Sequence, residues 1–212
     1  MSESLVWYHG TDASKFHSWG LPAPAKEVLL PRSPALFFTQ DIEYARGSGG
    51  HICEVTLSSG ARVLQPGSGG QGSDALRISL GNDQIYGQCQ HLVSRQLWEY
   101  GWQSGDVMRY SFPQAVLQAL IQRNLVKLVP LIMAAGYPVP SQDVLHQCAV
   151  QYTTREWIDL ICEHAKRLGY QALIGAEVDR WYGPNKKVAM PPKARSWMAV
   201  LDTCVITPPH WI

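Results

Sequence analysis

Strand signals are confined to the two ends of this chain, and the long middle is patterned for helices. Residues 5–9 (LVWYH) are a short β-prone run ending in Gly-Thr-Asp, the composition of a strand followed by a turn. Residues 35–39 (ALFFT) form a second apolar run, residues 51–58 (HICEVTLS) alternate, and residues 61–65 (ARVLQ) suit a further short strand. After Gly169 the strand signals return in residues 170–175 (YQALIG) and 197–202 (WMAVLD), with an edge strand expected in the tail CVITPPHWI. From about residue 73 to 168 the spacing is helical. Residues 112–131 place Ala115, Val116, Ala119 and Leu120 on one side, and residues 153–168 do the same with Trp157, Leu160, Ile161, Ala165 and Leu168. Gly136 and Gly169 stand where helix C-caps belong. Both ends are needed to make a sheet of ordinary size. The expectation is one α+β domain over residues 1–212, with a split β-sheet core and a helical insertion over about 73–168.

The connections are punctuated in the usual way. Prolines at 22, 24, 31 and 34 exclude a continuous helix or central strand there. Residues 66–73 are a Gly/Ser-rich loop, and residues 176–194 read as a loop rich in charge and proline. Residues 41–46 (DIEYAR) suit one or two helical turns with acids at the start, where the helix dipole favours them. The segment NLVKLVPLIMAAGYPVP resembles an ankyrin-type helix pair, but no second unit follows it, so no repeat array is expected.

Composition removes several function classes. A formal net charge of +1 produces no field that would gather nucleic acid or an anionic membrane, and no block of five like charges occurs. The longest apolar stretch, LVKLVPLIMAAG, is interrupted by Lys127 and Pro130 and is short for a bilayer span. With no signal-type N-terminus visible, a cytoplasmic protein is expected. Five scattered cysteines read as free thiols of a reducing compartment. The pairs His146/Cys148 and Cys162/His164 suggest zinc, but residues two apart on a helix diverge and cannot share one ion, so no metal is expected.

The sequences WYHGTDASKF, ALFFTQDIEYARG and HICEVTLSSGARVL, in that order, resemble the poly-ADP-ribose-polymerase and diphtheria-toxin branch of the ADP-ribosyltransferases. LGYQALIG and WMAVLDTCVI resemble that family's closing strands, so the resemblance covers residues 5–65 and 169–206, about half the chain. It implies an ADP-ribosyltransferase-like fold and NAD as co-substrate. The function it implies is mono-ADP-ribosyl transfer to a macromolecular acceptor, a protein before a nucleic acid, with release of nicotinamide. A bacterial effector or toxin acting inside a host cell fits that description.

By the same resemblance His9 would hydrogen-bond a ribose hydroxyl, and Gly10 would let its backbone clamp the nicotinamide amide. Thr11 would offer a hydroxyl to a ribose, Phe37 would stack on nicotinamide, and Tyr44 would form a second aromatic wall. In the family a Glu opens the late strand and supports the ribose cation; here that position falls at or beside Trp197. Glu177 is the candidate replacement, ahead of Asp179 and Asp202, and His9 and Glu177 are the expected catalytic pair. Chain elongation to a polymer is not expected. The plainer reading keeps His9, Phe37 and Phe38 as packing residues and Glu177 as a solvated loop charge. The competing function is a catalytically silent member of the fold that binds NAD, ADP-ribose or a partner protein. Arg180, Lys186, Lys187, Lys193 and Arg195, beside the expected site, are either a solvated loop or contacts for a pyrophosphate or an acidic target.

Overall fold

The computed structural model describes residues 5–23, 34–65, 71–83, 114–179 and 193–212. Its elements follow the expected order: strands, then helices, then strands. Strand β1 is Val6–Thr11, β2 is Leu36–Thr39, helix α1 is Ile42–Arg46, β3 is His51–Thr56 and β4 is Val63–Leu64. Helices α2 (Gln71–Gly81), α3 (Gln114–Ala134) and α4 (Gln142–Arg167) come next. Strands β5 (Ala172–Asp179), β6 (Lys193–Val200) and β7 (His210–Trp211) close the chain.

The strands form one seven-stranded sheet in the order β4-β5-β6-β2-β1-β3-β7, parallel between β4 and β5 and antiparallel elsewhere. The fold is therefore α+β with a mixed sheet. The sheet has one thin junction. β1 and β3 match at six positions and β2 and β6 at four, but β1 and β2 match only at Tyr8↔Thr39.

Both faces are covered, which is why residues 197–201 (WMAVL) are apolar without alternation, as a central strand requires. On one face Trp197, Ala199 and Leu173 meet Leu76 and Leu80 of α2 and Trp157, Ile161 and Ala165 of α4. On the other, Trp7, Phe38, Met198 and Val200 pack with Val205 and Ile206 of the C-terminal segment and with Trp19. A third core lies between α3 and α4, where Ile121, Leu128 and Ile132 meet Leu145, Ala149 and Tyr152.

Several expected boundaries move. β1 runs through Gly10 and Thr11, which were expected in a turn, because β3 pairs with both. β5 extends to Asp179 and β6 begins at Lys193, so Glu177, Asp179, Lys193 and Arg195 lie in strands rather than in the expected loop. Residues 180–192, with Arg180, Lys186 and Lys187, lie outside the described residues, as do 24–33 and 66–70. α3 continues through Lys127 and Pro130 for 21 residues, and by length and composition it could cross a membrane. Its inner side is built for protein instead. Asn124 is fully buried and donates to Thr153 Oγ1 at 2.9 Å, and Arg123 and Lys127 both pair with Glu156 of α4. α3 and α4 end as anticipated, with Gly136 (φ 77°) and Gly169 (φ 81°) in the left-handed region.

α2 is tied to α4 by a 2.7 Å hydrogen bond between Ser79 Oγ and His164 Nδ1. Burial holds His164 below its ordinary value of 6.5; Arg167 acts in the same direction, and Asp83 and Glu163 oppose it. With the folded value depressed, the unfolded chain takes up this proton first as pH falls through about 6.5, so stability is lost there and levels off below the folded value. We expect the thermal midpoint to fall between about pH 7.5 and about pH 5, and to fall less in His164→Gln, which keeps an acceptor for Ser79 but does not titrate. An equal fall in both proteins, followed by circular dichroism, would show that His164 does not carry the effect.

Candidate functional site

β2 and β3 flank β1 and run parallel to each other, so the chain between them must cross β1. α1 makes that crossing. It begins at Asp41, an N-cap whose Oδ1 accepts from Glu43 N (3.1 Å) and Tyr44 N (3.2 Å). The helix passes so close over β1 that a Cβ on Gly10 would fall inside the van der Waals shell of the Ala45 carbonyl. Gly49 makes an equally tight approach to the backbone of Thr11. The space freed at Gly10 is therefore taken by α1, a demand of the fold that stands beside the ligand role implied by the resemblance.

His9 braces the thin junction. Its Nδ1 lies 2.8 Å from the Phe37 carbonyl. A carbonyl only accepts, so Nδ1 carries the proton, and in the neutral ring Nε2 is left as an acceptor. The imidazole stands edge-on to Trp19 (5.6 Å between centroids) and tilted against Phe38 (5.4 Å). Thr11 Oγ1 accepts from Ala13 N at 3.1 Å, which leaves its O–H as a donor.

Phe37 lies on the helical face of the sheet, 6.0 Å from the Trp197 ring, whereas His9 packs with the cluster on the opposite face. The two are joined through the Phe37 backbone and not ring to ring. Tyr44 stands on α1 next to the Gly10 crossing, and the Arg195 guanidinium lies over its ring at 4.9 Å. Arg195 also forms an ion pair with Asp41. Thr39 completes this corner: its Oγ1 donates to the Ser196 carbonyl (3.3 Å) and accepts from Asp41 N (3.1 Å). One polar cluster thus ties the end of β2, the start of α1 and the middle of β6.

The acids fall in three places. Glu177 stands opposite Arg195 in the β5–β6 ladder, at the end of the sheet that α1 occupies, and Asp179 stands opposite Lys193. Asp202 is at the far end of β6, where it accepts from Cys204 N (3.0 Å) and Gln171 Nε2 (3.1 Å). Those bonds, the Cys204 N–H first, hold its carboxyl below the usual range. It is a turn cap and no part of this corner. Trp197 sits in the middle of β6 opposite Thr39 and Gly175, not at the strand's opening. Its indole lies over Gly175, where any side chain would collide with it, and its Nε1 is buried with no hydrogen-bond partner among the described residues.

Sequence reasoning missed the Arg195–Asp41–Tyr44 cluster. The N-cap at Asp41 had a legible signal, but its partner 154 residues away had none. Of the cysteines, Cys53 is buried, which pushes its thiol up to about 11. Comparison with family models, curated proteins and solved structures finds no match for this chain.

We expect Gly10→Ala to force α1 off β1 and to destabilise the protein by roughly 1–3 kcal/mol, the usual range for an added methyl group in a packed contact. Urea denaturation reads the loss, and faster hydrogen exchange of the α1 amides reads the displaced helix. Unchanged stability would mean that α1 does not rest on Gly10.

Proposed function

We propose that this chain binds NAD at the β1–β2 junction and is an NAD-dependent mono-ADP-ribosyltransferase of the ADP-ribosyltransferase-like fold, acting on a protein acceptor. The observation that carries the reading is the α1 crossing at Gly10. It draws His9, Gly10, Thr11 and Tyr44, all named by the resemblance, to one end of a sheet whose strands barely pair there.

The donor and acceptor inventory suits a dinucleotide. His9 Nε2 accepts from a ribose hydroxyl and Thr11 O–H donates. The Tyr44 ring offers a face to nicotinamide, and Arg195 offers charge to a phosphate. In the transfer the bond between ribose C1′ and the nicotinamide nitrogen breaks. Nicotinamide leaves with the electron pair, the acceptor's nucleophile bonds to C1′, and its proton passes to a base. A carboxylate near C1′ stabilises the intervening cation, and Glu177, opposite Arg195 in the ladder, is the acid assigned to that work.

A second reading has one specific observation in its favour. β6, from Lys193 to Val200, contains no carboxylate, and the residue at or beside the family's Glu position by resemblance is Trp197. A silent NAD-binding or ADP-ribose-binding module would need no carboxylate there.

Calorimetric titration with NAD up to millimolar ligand should give saturable binding that His9→Ala removes while the fold, checked by circular dichroism, persists. No binding by the intact protein overturns both readings. Glu177→Gln should slow nicotinamide release by about a hundredfold or more with NAD affinity little changed. NAD binding with no release by the intact protein would select the silent module.

A further inference from the structure

The face of β1 from which His9 projects is crossed by a segment that the proposed function leaves without a role. Cys53 stands opposite both His9 and Trp211 in the register, so the three side chains share one face on neighbouring strands. Thr11, two residues along β1, shares it as well. The chain that follows β1, residues 12–23, returns over this row as a strap. Phe16 packs edge-on with Trp211 (5.0 Å between centroids), and Trp19 packs edge-on with Phe16 (4.9 Å) and with His9 (5.6 Å). Cys53, between the two ends of the row, is fully buried.

The strap is held more lightly than the residues it covers. It contains no helix or strand, and most of its side chains are exposed. At its start, Asp12 Oδ1 accepts from Gly50 N and Ala13 N donates to Thr11 Oγ1. Beyond Ala13, among the described residues, its hydrogen bonds to the rest of the protein are two indole bonds with the C-terminal segment. Trp19 Nε1 donates to the Thr207 carbonyl (3.0 Å), and Trp211 Nε1 donates to the Phe16 carbonyl (2.9 Å). Each segment thus gives one indole N–H to the backbone of the other. The C-terminal segment is itself fixed to the sheet. Thr207 N donates to the Thr56 carbonyl and Ile212 N to the Ile52 carbonyl, each at 3.0 Å, and β7 pairs with β3. An exposed segment with so few bonds opens more readily than the sheet beneath it.

We infer that residues 12–23 form a lid over the His9 face of β1, latched shut by the reciprocal Trp19 and Trp211 indole bonds, and that opening it admits the dinucleotide. The ligand admitted rests on the NAD site proposed at His9; the latch itself does not. With the lid shut, the imidazole is packed against both Trp19 and Phe38, and affinity is reduced to the extent that the open form is scarce.

Cys53 reports the lid without any nucleotide. The full chain is alkylated with iodoacetamide at about pH 8, and each cysteine is quantified by peptide mass spectrometry. Exposed Cys204 should react fast, Cys53 slowly through lid opening, and Cys162, buried in the helical core, more slowly still. Trp19→Phe and Trp211→Phe keep a ring and remove the N–H. Each should speed Cys53 labelling by about threefold or more, the worth of one hydrogen bond, and leave Cys162 unchanged. Unchanged Cys53 labelling in both variants overturns the lid. So does a rise at Cys162 equal to that at Cys53, which would mean that the sheet opens as a whole. Trp211→Phe alters a ring that packs on Phe16 and His51, and it should also tighten NAD binding by a similar factor. Weaker binding in that variant would make the strap a fixed wall of the site and overturn its role as a barrier. NAD failing to bind either protein would overturn the function proposed above, while the labelling still decides the latch.

Discussion

The passage of α1 over β1 at Gly10 is the contact on which the rest of the sheet depends. β1 lies between β2 and β3, and residues 40–50, with the five-residue helix α1 inside them, carry the chain from one to the other. So short a crossing must run against the sheet, and it does so only where β1 has no side chain. The cost appears next door: β1 and β2 pair at a single position, and the His9 imidazole supplies the nearby bond that the strands' own backbones do not. Asp41, Thr39 and Arg195 hold the helix entrance in place, and the same atoms put a cation over Tyr44. Fold and candidate site are built from one set of residues.

That double use explains what was legible. Alternation and turn residues showed the strands, and helical spacing showed the middle, because these are local properties of the sequence. The lengths of β5 and β6 were not legible. Residues 176–194 carry the charge and proline of a loop, yet eight positions of β5 pair with β6, and the register sets Glu177 against Arg195 and Asp179 against Lys193. Opposite charges at facing positions favour pairing, and each segment alone gives no sign of its partner. Pro130 falls inside the helical spacing read over residues 112–131, and the helix runs through it. A proline weakens an isolated helix, but α3 is held along its length by buried contacts to α4 and by Asn124 and its partners.

At the site, residue types were legible and their directions were not. HGT and YA mark a corner the structure does bring together. The pleat, however, sends His9 and Phe37 to opposite faces, a consequence of register that no motif contains. Gly10 shows the same limit. A glycine after a strand histidine signals a close approach of something, and only the crossing helix identifies what approaches.

The thin junction and Trp197 then bear on each other. A sheet that barely pairs between two of its central strands loses backbone bonds, so it needs compensation from side chains or from a bound molecule. His9 provides part of that. The buried indole N–H of Trp197, on β6, is a further donor with no partner among the described residues. Leaving such a group without an acceptor costs about 1–3 kcal/mol. The two deficits open on opposite faces of the sheet, Trp197 on the helical face and His9 on the other, so no single ribose or phosphate meets both. On the proposed function, holding NAD would draw on His9 and Thr11 at the junction, whereas cleaving it would require a carboxylate, which β6 lacks and β5 holds at Glu177 and Asp179.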